Sequence, residues 1–316
     1  MIGFDIGGTK CAVSIGAEKD GILEIKSKVI MPTDLSISPY EMLDRMCAAA
    51  ENLESDGDFD VIGISCGGPL DSRSGIILSP PNLPGWDNVR VTEYLEKRFG
   101  CRAYLQNDAN ACAVAEWKYG AGKGFKNVVF LTFGTGLGAG LILDGKLYGG
   151  VTDTAGEVGH IRLSEYGPVG FGKSGSFEGF CSGNGIANLG RIFAQEAFQA
   201  DRHVSYCKSP DYISKINAKE IAELAQSGDA DALRVFDVCG KKLGIGLSII
   251  IDILNPEVII LGSIYLRCEN LLRDTALSVI EKEALLQPRS ACKIVPAGLG
   301  EKVGDYAALS IAAMNL

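Results

Sequence analysis

Two variants of one local pattern occur in the sequence, and this repeat constrains the fold more than any other feature. The first copy covers residues 2–15 and the second covers residues 128–143. In each copy a segment rich in β-branched residues runs into a turn of glycines and threonine and then into another such segment. This pattern predicts two strands joined by a tight turn. After the second copy, Asp144-Gly145 predicts one more hairpin. The repeat indicates two related lobes.

Helical and extended patterns alternate after each copy. Helices are predicted at about residues 39–53, 91–99, 186–198, 218–226, 230–254 and 304–314, and strands at residues 61–65 and 258–261. Such alternation is typical of an α/β protein. Because no low-complexity stretch or charged linker separates the two halves, we place a hinge between packed lobes near Asp108.

Composition argues against several classes of function. The 316 residues carry a net charge of −9 without a cluster of Lys and Arg, which argues against binding to nucleic acid or to anionic membranes. The longest apolar stretch, residues 243–254, is too short to span a bilayer. Met1 leads directly into the first strand and the ten cysteines form no C-x-x-C pair, so we expect a reduced, cytoplasmic protein without a signal peptide.

The glycine turns of the repeat are candidates for phosphate binding. Residues 7–9 and 134–138 can each point several backbone N–H groups at one anion, because glycine adopts conformations that other residues avoid. Thr9 adds a hydroxyl group, and Lys10 adds a charge. One such turn alone would be an ordinary hairpin turn, whereas two copies flanked by buried strands favour a pair of phosphate-binding turns.

An acidic residue lies between the two turns, at a predicted helix start. Asn107 has the character of an N-cap, which places Asp108 in the first helical turn. There the helix dipole favours the carboxylate form that a general base needs. Taken alone, the segment indicates no more than an Asp at a helix start, which is a common position for this residue.

Taken together, these segments resemble the ROK family of sugar kinases and sugar-responsive repressors, within the actin/hexokinase-like ATPase superfamily. The resemblance covers nearly the whole chain. The matching segments are residues 5–10 (first phosphate motif), 81–86 (sugar-contacting loop), 107–110 (catalytic segment), 134–138 (second phosphate motif), 156–160 (sugar signature) and 255–262 (adenosine segment). Ser263 stands where a second glycine is usual, and we expect it to alter the adenine pocket slightly.

The resemblance implies a fold as well. This is the α/β, two-lobed actin-like/hexokinase-like ATPase fold, with a duplicated mixed-sheet core and a central cleft. The small lobe is expected to contain residues 1–108 and 300–316, with the first phosphate turn and the catalytic Asp at the hinge. The large lobe is expected to contain residues 109–299, with the second phosphate turn, the sugar motif and the adenosine segment. A homodimer is also expected.

The function implied by the resemblance is that of a glucokinase-like, ATP-dependent sugar kinase that transfers the γ-phosphoryl group to a hexose hydroxyl, here assigned as the 6-hydroxyl. Asp108 would take the proton of that hydroxyl, while Mg²⁺ bound through ATP, with Asp5 as a partner through water, spreads the charge on the phosphoryl group. The residues implied for ATP binding are Asp5, Gly7, Gly8, Thr9, Lys10, Thr132, Gly134, Thr135, Gly136, Gly138 and Gly262. Those implied for sugar binding are Gly68, Asn82, Asn107, Asp108, Glu157, His160 and Glu178. Without the resemblance, Glu157 and His160 would fit a solvated surface pair equally well.

One segment departs from the family pattern. Kinases of this family usually carry a C-x-C-G-x-x-G-C segment after the histidine, and this segment binds zinc together with it. Here Val169, Phe171 and Ser176 occupy the three cysteine positions. One histidine and the single nearby sulfur of Cys181 cannot build a tetrahedral zinc site. We therefore predict no structural zinc, with Val169 and Phe171 packing this loop through apolar contact.

The same segment contains a second motif. Residues 167–174 satisfy G-x-x-x-x-G-K-[ST], the phosphate-loop pattern. That motif requires a buried strand before it and a helix that starts at the lysine. Residues 175–185 are too rich in glycine to favour a helix there. We interpret the match as accidental.

Three alternatives to a glucokinase-like enzyme follow from the same residues. A kinase for an N-acyl-hexosamine or a β-glucoside would use the same chemistry with other acceptor loops. A sugar-binding repressor would carry a helix-turn-helix before the first strand, whereas this acidic sequence starts on that strand. A catalytically inactive sugar sensor would not need Asp108, Lys10 and both glycine turns. The sequence does not identify the sugar.

Overall fold

The computed structural model describes residues 1–53 and 59–316. Its strands are β1 (Ile2–Ile6), β2 (Lys10–Lys19), β3 (Ile22–Pro32), β4 (Val61–Cys66), β5 (Leu70–Asp71), β6 (Ile76–Ile77), β7 (Val89–Arg90), β8 (Arg102–Asn107), β9 (Val128–Leu131), β10 (Ala139–Leu143), β11 (Lys146–Leu147), β12 (Val169–Gly170), β13 (Lys173–Ser174), β14 (Val258–Leu261) and β15 (Lys293–Pro296). Its α-helices are α1 (Pro39–Asn52), α2 (Val91–Phe99), α3 (Asp108–Tyr119), α4 (Phe177–Phe180), α5 (Gly183–Gln199), α6 (Ala218–Gln226), α7 (Ala230–Leu254), α8 (Ile264–Glu283), α9 (Leu286–Ala291) and α10 (Val303–Met314). Strands and helices alternate, as predicted for an α/β protein.

The described residues form two compact units. The first unit contains Met1–Phe130, Gly140–Gly156 and Ala297–Leu316, and the second contains Leu131–Ala139 and Glu157–Pro296. Asp108 lies inside the first unit, so the bounds of the units differ from those of the predicted lobes. The division into two lobes with a hinge stays a prediction.

A mixed five-stranded sheet forms the centre of the first unit, in the order β3-β2-β1-β4-β8. Strand β1 pairs antiparallel with β2 and parallel with β4, and β4 pairs parallel with β8. Every residue of β4 is buried, which is the pattern of a strand covered on both faces. The apolar sides of α1 and α2 contribute Met42, Met46 and Leu95 to the core beside this sheet.

Helix α10 lies against the same sheet, and a glycine permits its close approach. A Cβ atom at Gly63 of β4 would lie 1.9 Å from the carbonyl oxygen of Ala308 in α10. Any side chain at this position would push the helix away from the strand.

The register of the parallel strands positions a candidate site. Ile6, Cys66 and Asn107, which are the last residues of β1, β4 and β8, lie side by side in the sheet. The segments that follow these strands therefore emerge at one edge of the sheet. In open α/β sheets, ligands bind outside the carboxyl ends of the strands.

The second unit contains the parallel pair β14 and β15 together with the packed helices α7 and α8. A Cβ atom at Gly244 of α7 would lie 2.6 Å from the Cβ atom of Val279 in α8, so the glycine lets the two helices pack closely. After β14, the N–H group of Gly262 donates to the carbonyl oxygen of Leu131 at 3.0 Å, and that of Ile264 donates to Phe133 at 3.0 Å. These bonds hold the end of β14 beside the second glycine turn.

Most predicted elements are confirmed. Both copies of the strand–turn–strand unit form, and the hairpin at Asp144-Gly145 joins β10 to β11 with positive φ at both residues. Helix α5 begins at Gly183, before its predicted start, because the Ser182 side chain caps it. Helix α8 was not predicted, although its buried residues recur every three or four positions. Among the described residues, no helix has the length and apolar character that a membrane span requires.

Candidate active site

Asp5 and Asp108 both lie at the edge where the parallel strands end. Asp5 is the fourth residue of β1 and pairs with Ser65 of β4. Burial raises the pKa of Asp5 to about 6, and the nearby charge of Asp108 acts in the same direction. A hydrogen bond with the Ser65 side chain opposes this rise. An Asp with a raised pKa beside a second carboxylate is common at functional sites.

Asp108 is the first residue of α3, and the predicted cap is confirmed. The Asn107 side chain accepts a hydrogen bond from the N–H group of Ala109 at 3.0 Å, and the Asp108 carboxylate accepts from the same N–H group at 2.8 Å. Burial within the surrounding protein raises the pKa of Asp108 above the ordinary value of 3.8, although the side chain reaches solvent. Asp108 is thus accessible and has few hydrogen-bond donors of its own.

The first glycine turn lies close to the predicted sugar loop. A Cβ atom at Gly8 would be 2.2 Å from the carbonyl oxygen of Asn82, so the two backbones nearly touch. The buried side chains of Leu83 and Trp86 anchor the loop and leave Asn82 exposed. On the other side of the turn, the N–H group of Thr33 donates to the carbonyl oxygen of Thr9 at 3.1 Å.

Gly68 lies in the segment that follows β4 and forms a cis peptide bond with Pro69. A Cβ atom at Gly68 would lie 3.3 Å from Nδ2 of Asn107, and one at Gly67 would lie 4.0 Å from Oδ2 of Asp108. Glycine at both positions keeps the space beside Asp108 open. The first unit therefore brings together the predicted residues Asp5, Gly8, Gly68, Asn82, Asn107 and Asp108.

The second glycine turn is closed by its own hydrogen bonds. The N–H group of Thr132 donates to the carbonyl oxygen of Gly138 at 3.0 Å, and that of Gly138 donates to the Thr132 hydroxyl at 3.0 Å. Across the turn, the N–H group of Gly134 donates to the carbonyl oxygen of Gly136 at 2.9 Å. Thr132 therefore fixes the shape of the turn.

Glu178 contacts this turn. Its carboxylate accepts a hydrogen bond from the N–H group of Leu137 at 3.0 Å. The sugar signature lies beside the same residues, because a Cβ atom at Gly159 would be 2.1 Å from the carbonyl oxygen of Leu137. The second unit thus brings Gly136, Gly159 and Glu178 together. Glu157 and His160 are exposed on either side of the buried Val158 and Gly159.

A cavity of about 340 Å³ lies in the second unit beside the glycine turn. Its volume suits a small ligand. Its walls include Gly134 and Thr135 of the turn and Ser263 after β14. Gly262 precedes this wall. Further lining residues come from segments that no motif marks in the sequence: Gly183, Asn184, Ala187, Arg191, Ile216, Asn217, Ala218, Ile264 and Arg267.

Ser263 adopts an unusual backbone conformation, with φ 53° and ψ −112°. This region favours glycine. The serine that replaces the expected glycine therefore keeps the glycine-like backbone and adds a hydroxyl group to the cavity wall.

Residues 167–174 lack the strand-to-helix context that a phosphate loop requires, which agrees with the interpretation of the match as accidental. Lys173 begins strand β13, which pairs with β12, and no helix begins at this residue. The predicted packing of this loop is wrong, however. Val169 is 53% exposed and Phe171 is 75% exposed, because two-residue strands are too short to bury either side chain.

The residues present do not fit a zinc site. The positions of the family's cysteines hold Val169, Phe171 and Ser176, none of which supplies a thiolate. Cys181 is fully buried, and its sulfur lies against the carbonyl oxygen of Cys239 in α7. Among the described residues, no group of three or more His, Cys, Asp or Glu side chains is placed to hold a metal ion.

Comparisons with known proteins agree with this geometry. The model of the ROK family matches residues 1–314. A glucokinase of Thermotoga maritima is 32% identical over 263 residues, which cover 83% of this chain and 81% of that protein. The structure of a ROK hexokinase from Thermus thermophilus has a TM-score of 0.81 at 30% identity and covers 100% of this chain and 98% of that one.

A ROK family glucokinase from Streptomyces griseus, solved in complex with glucose and AMPPNP, has a TM-score of 0.78 at 29% identity, with 99% of both chains covered. The α/β fold with mixed strand pairing is the fold of these ROK kinases, as predicted. The chain therefore belongs to the ROK family.

Proposed function

We propose that this protein transfers the γ-phosphoryl group of ATP to the 6-hydroxyl group of a hexose, with Asp108 as the general base. That the chain is an ATP-dependent sugar kinase follows from its family and from its glucokinase relatives. The residues that perform the reaction, and the hydroxyl group that accepts the phosphoryl group, are the proposal.

The position of Asp108 is the observation that carries the proposal. Its carboxylate lies at the carboxyl edge of three parallel strands, together with Asp5 and the first glycine turn. Burial raises its pKa, which makes it a stronger base than an ordinary Asp. It also reaches solvent, as a residue that meets a substrate must.

In the proposed reaction, the sugar hydroxyl oxygen attacks the γ-phosphorus, and the bond between this phosphorus and the β,γ-bridging oxygen breaks. The hydroxyl proton goes to the Asp108 carboxylate, and ADP leaves with the bridging oxygen. Catalysis then depends on positioning and on stabilisation of the charged phosphoryl group, as in other phosphoryl transfers.

Asp5 fits a Mg²⁺ ion. This ion prefers oxygen ligands and keeps several waters when phosphates and one carboxylate complete its shell. The Asp5 carboxylate lies just before the first glycine turn, so it would hold the ion through water. Bound there with ATP, the ion would neutralise charge on the phosphates.

The remaining assignments complete the proposal. The ATP ligands are Asp5, Gly7, Gly8, Thr9, Lys10, Thr132, Gly134, Thr135, Gly136, Gly138 and Gly262. For Thr132 the role is indirect, because its hydroxyl is used within the turn. The sugar ligands are Gly68, Asn82, Asn107, Asp108, Glu157, His160 and Glu178. We assign adenosine to the cavity beside Ser263.

A coupled ADP-release assay with glucose, other hexoses, N-acyl-hexosamines and β-glucosides tests the proposal. We expect turnover with a hexose, and the position of the new phosphate can be read by ³¹P-coupled NMR. If kcat/KM were highest with an N-acyl-hexosamine or a β-glucoside, that sugar and not a hexose would be the acceptor. Sugar binding without ADP release from any acceptor would favour the sugar-responsive regulator.

We also propose a homodimer in the cytoplasm that uses ATP and a sugar as small-molecule partners and holds no structural zinc. Sedimentation velocity tests the dimer, and elemental analysis of the purified protein tests the metal. One zinc per chain would contradict the donor chemistry of residues 169–176.

A further inference from the structure

We propose that Lys173, Arg162 and Phe171 form a metal-free staple that holds His160 in place for sugar binding. The staple would do what the zinc ion does in relatives that keep the cysteine motif. The inference concerns His160 and therefore rests on the proposed function. Lys173, Arg162 and Phe171 are positioning residues in this proposal, because they act through His160.

The staple is built on the hairpin of β12 and β13. Val169 pairs with Ser174 and Gly170 pairs with Lys173. Phe171 and Gly172 form the turn with φ values of 44° and 73°, which is the backbone of a tight two-residue hairpin. This geometry directs the hairpin back to the segment that carries His160.

Two cationic side chains join the hairpin to that segment. The Lys173 ammonium group donates to the backbone carbonyl oxygen of His160 at 2.7 Å. The Arg162 guanidinium group donates to the carbonyl oxygen of Ser174 at 2.8 Å. Hydrogen bonds from charged donors are stronger than neutral ones. The two bonds run in opposite directions between residues 160–162 and 173–174, so they fix both segments.

The backbone supports the same connection. The N–H group of Phe177 donates to the carbonyl oxygen of Ile161 at 2.8 Å, and that of Leu163 donates to Gly175 at 2.8 Å. In the family motif, a zinc ion would connect the histidine to positions 169, 171 and 176. The staple connects these same stretches of chain without a metal.

Phe171 contacts the imidazole ring. The ring centroids of Phe171 and His160 lie 6.4 Å apart with the planes inclined by 75°, which is a favourable edge-to-face arrangement. Phe171 is 75% exposed, so its ring contacts His160 on one side and solvent elsewhere. The contact restricts rotation of the imidazole.

The staple predicts a specific split in the kinetics. Lys173→Met keeps the length of the side chain and removes the charged donor, so we expect the KM for the sugar to rise about tenfold, the worth of one such bond. The KM for ATP should stay within about twofold, since Lys173 lies in a hairpin and not in a phosphate loop. Lys173→Arg keeps a donor and should recover most of the sugar affinity.

Imidazole NMR supplies a second readout that does not need turnover. The chain has two histidines, His160 and His203, and His160→Gln assigns the two signals. Lys173→Met and Phe171→Leu should each shift the His160 signal in the substrate-free protein, while His203 serves as the internal control. A thermal melt of each variant shows that the fold is intact.

Unchanged His160 signals in both variants would overturn the staple. So would an unchanged KM for the sugar in Lys173→Met if sugar shifts the His160 signal of the wild type, because His160 would then bind the sugar without needing the staple. A selective rise in the KM for ATP would also overturn it and restore the phosphate loop. Stoichiometric zinc would show that a metal holds the histidine instead. If the signals shift as expected but glucose and other sugars leave His160 unaffected, the staple stands and the proposed sugar site fails.

Discussion

Helix α3 carries one carboxylate in its first turn and another in its third, and the two have opposite surroundings. Glu116 is completely buried and accepts three backbone hydrogen bonds, from Ala121 at 2.8 Å, Gly298 at 3.0 Å and Leu299 at 2.8 Å. Asp108 reaches solvent, and its carboxylate accepts from backbone N–H groups of its own helix start, such as that of Ala109 at 2.8 Å. The same helix thus presents one satisfied and one unsatisfied carboxylate.

This difference distinguishes structure from chemistry. A buried carboxylate needs donors to replace the water that it loses, and the donors of Glu116 tie α3 to the segment before α10. Asp108 lacks such donors, and burial raises its pKa. Its capacity to accept a proton therefore remains free for a substrate. Asp5 resembles Asp108 in this respect, because burial raises the pKa of Asp5 to about 6.

Loss of the unsatisfied carboxylate should have the largest effect. Asp108→Asn keeps the shape of the side chain and removes the proton acceptor, so we expect kcat to fall by about 10²–10⁴-fold with little change in the affinity for ATP and sugar. Burial raises the pKa of Asp108 above 3.8. As the pH is lowered, the base therefore becomes protonated, and the wild-type kcat should fall, at a higher pH than it would with an ordinary Asp. Steady-state kinetics of the variant beside the wild-type pH profile measure both. Near wild-type turnover would exclude Asp108 as the base.

Loss of the satisfied carboxylate should act on stability instead. Glu116→Ala leaves three backbone N–H groups without the acceptor that they have in the folded protein, so the free energy of unfolding should fall by about 3–4 kcal/mol. Glu116→Gln keeps one acceptor oxygen, and its free energy of unfolding should fall by about half as much. Urea unfolding measures the loss, and the kcat of the folded fraction should stay within a few-fold of wild type. A selective loss of kcat without loss of stability would break the comparison, because Glu116 would then have a role in the chemistry.

The two ends of α3 also differ in how far the sequence predicts them. Asn107 and Asp108 are adjacent to the helix start that they form, so local pattern is sufficient to place them. The partner Gly298 lies 182 residues from Glu116, and no local pattern reports such a contact. Sequence analysis therefore finds Asp108 and gives no sign of the role of Glu116.

The same reasoning explains the remaining differences. The glycine turns, most helices and β14 follow from short-range patterns and are confirmed. The cavity residues Asn184 and Arg191 belong to α5 and Arg267 belongs to α8. These helices are far apart in the sequence, and only the folded chain brings them to one wall. Exposure of Val169 and Phe171 was not predicted, because residue type indicates burial only when an element is long enough to cover the side chain.

Asp5 should show how much a buried carboxylate with few hydrogen-bond donors destabilises the folded protein. Its pKa is about 6 in the folded protein against an ordinary value of 3.8, so the native state binds the proton more tightly than the unfolded state. The wild-type free energy of unfolding should therefore decrease as pH rises from about 4 to 6. Asp5→Asn removes the charge and should stabilise the protein by about 1–3 kcal/mol at pH 7, with less gain at pH 4.5. Urea unfolding at both pH values measures this gain, and activity should fall because Asp5 is the proposed partner of Mg²⁺. A variant that is less stable than the wild type at pH 7 would show that the Asp5 carboxylate stabilises the fold, as that of Glu116 does.

Ser65→Ala should give the smallest effect. The Ser65 side chain is buried, and its hydrogen bond holds the pKa of Asp5 below the value that burial alone would give. Without this bond the pKa of Asp5 should rise further, and the free energy of unfolding at pH 7 should fall by about 0.5–1 kcal/mol. At pH 4.5 native Asp5 is mostly protonated and the bond is weaker, so the loss should shrink. A double-mutant cycle with Asp5→Asn isolates the pair from the packing of the hydroxyl. An equal loss at both pH values and in both backgrounds would mean that Ser65 acts by packing alone, and that Asp5 has no donor that partly satisfies it.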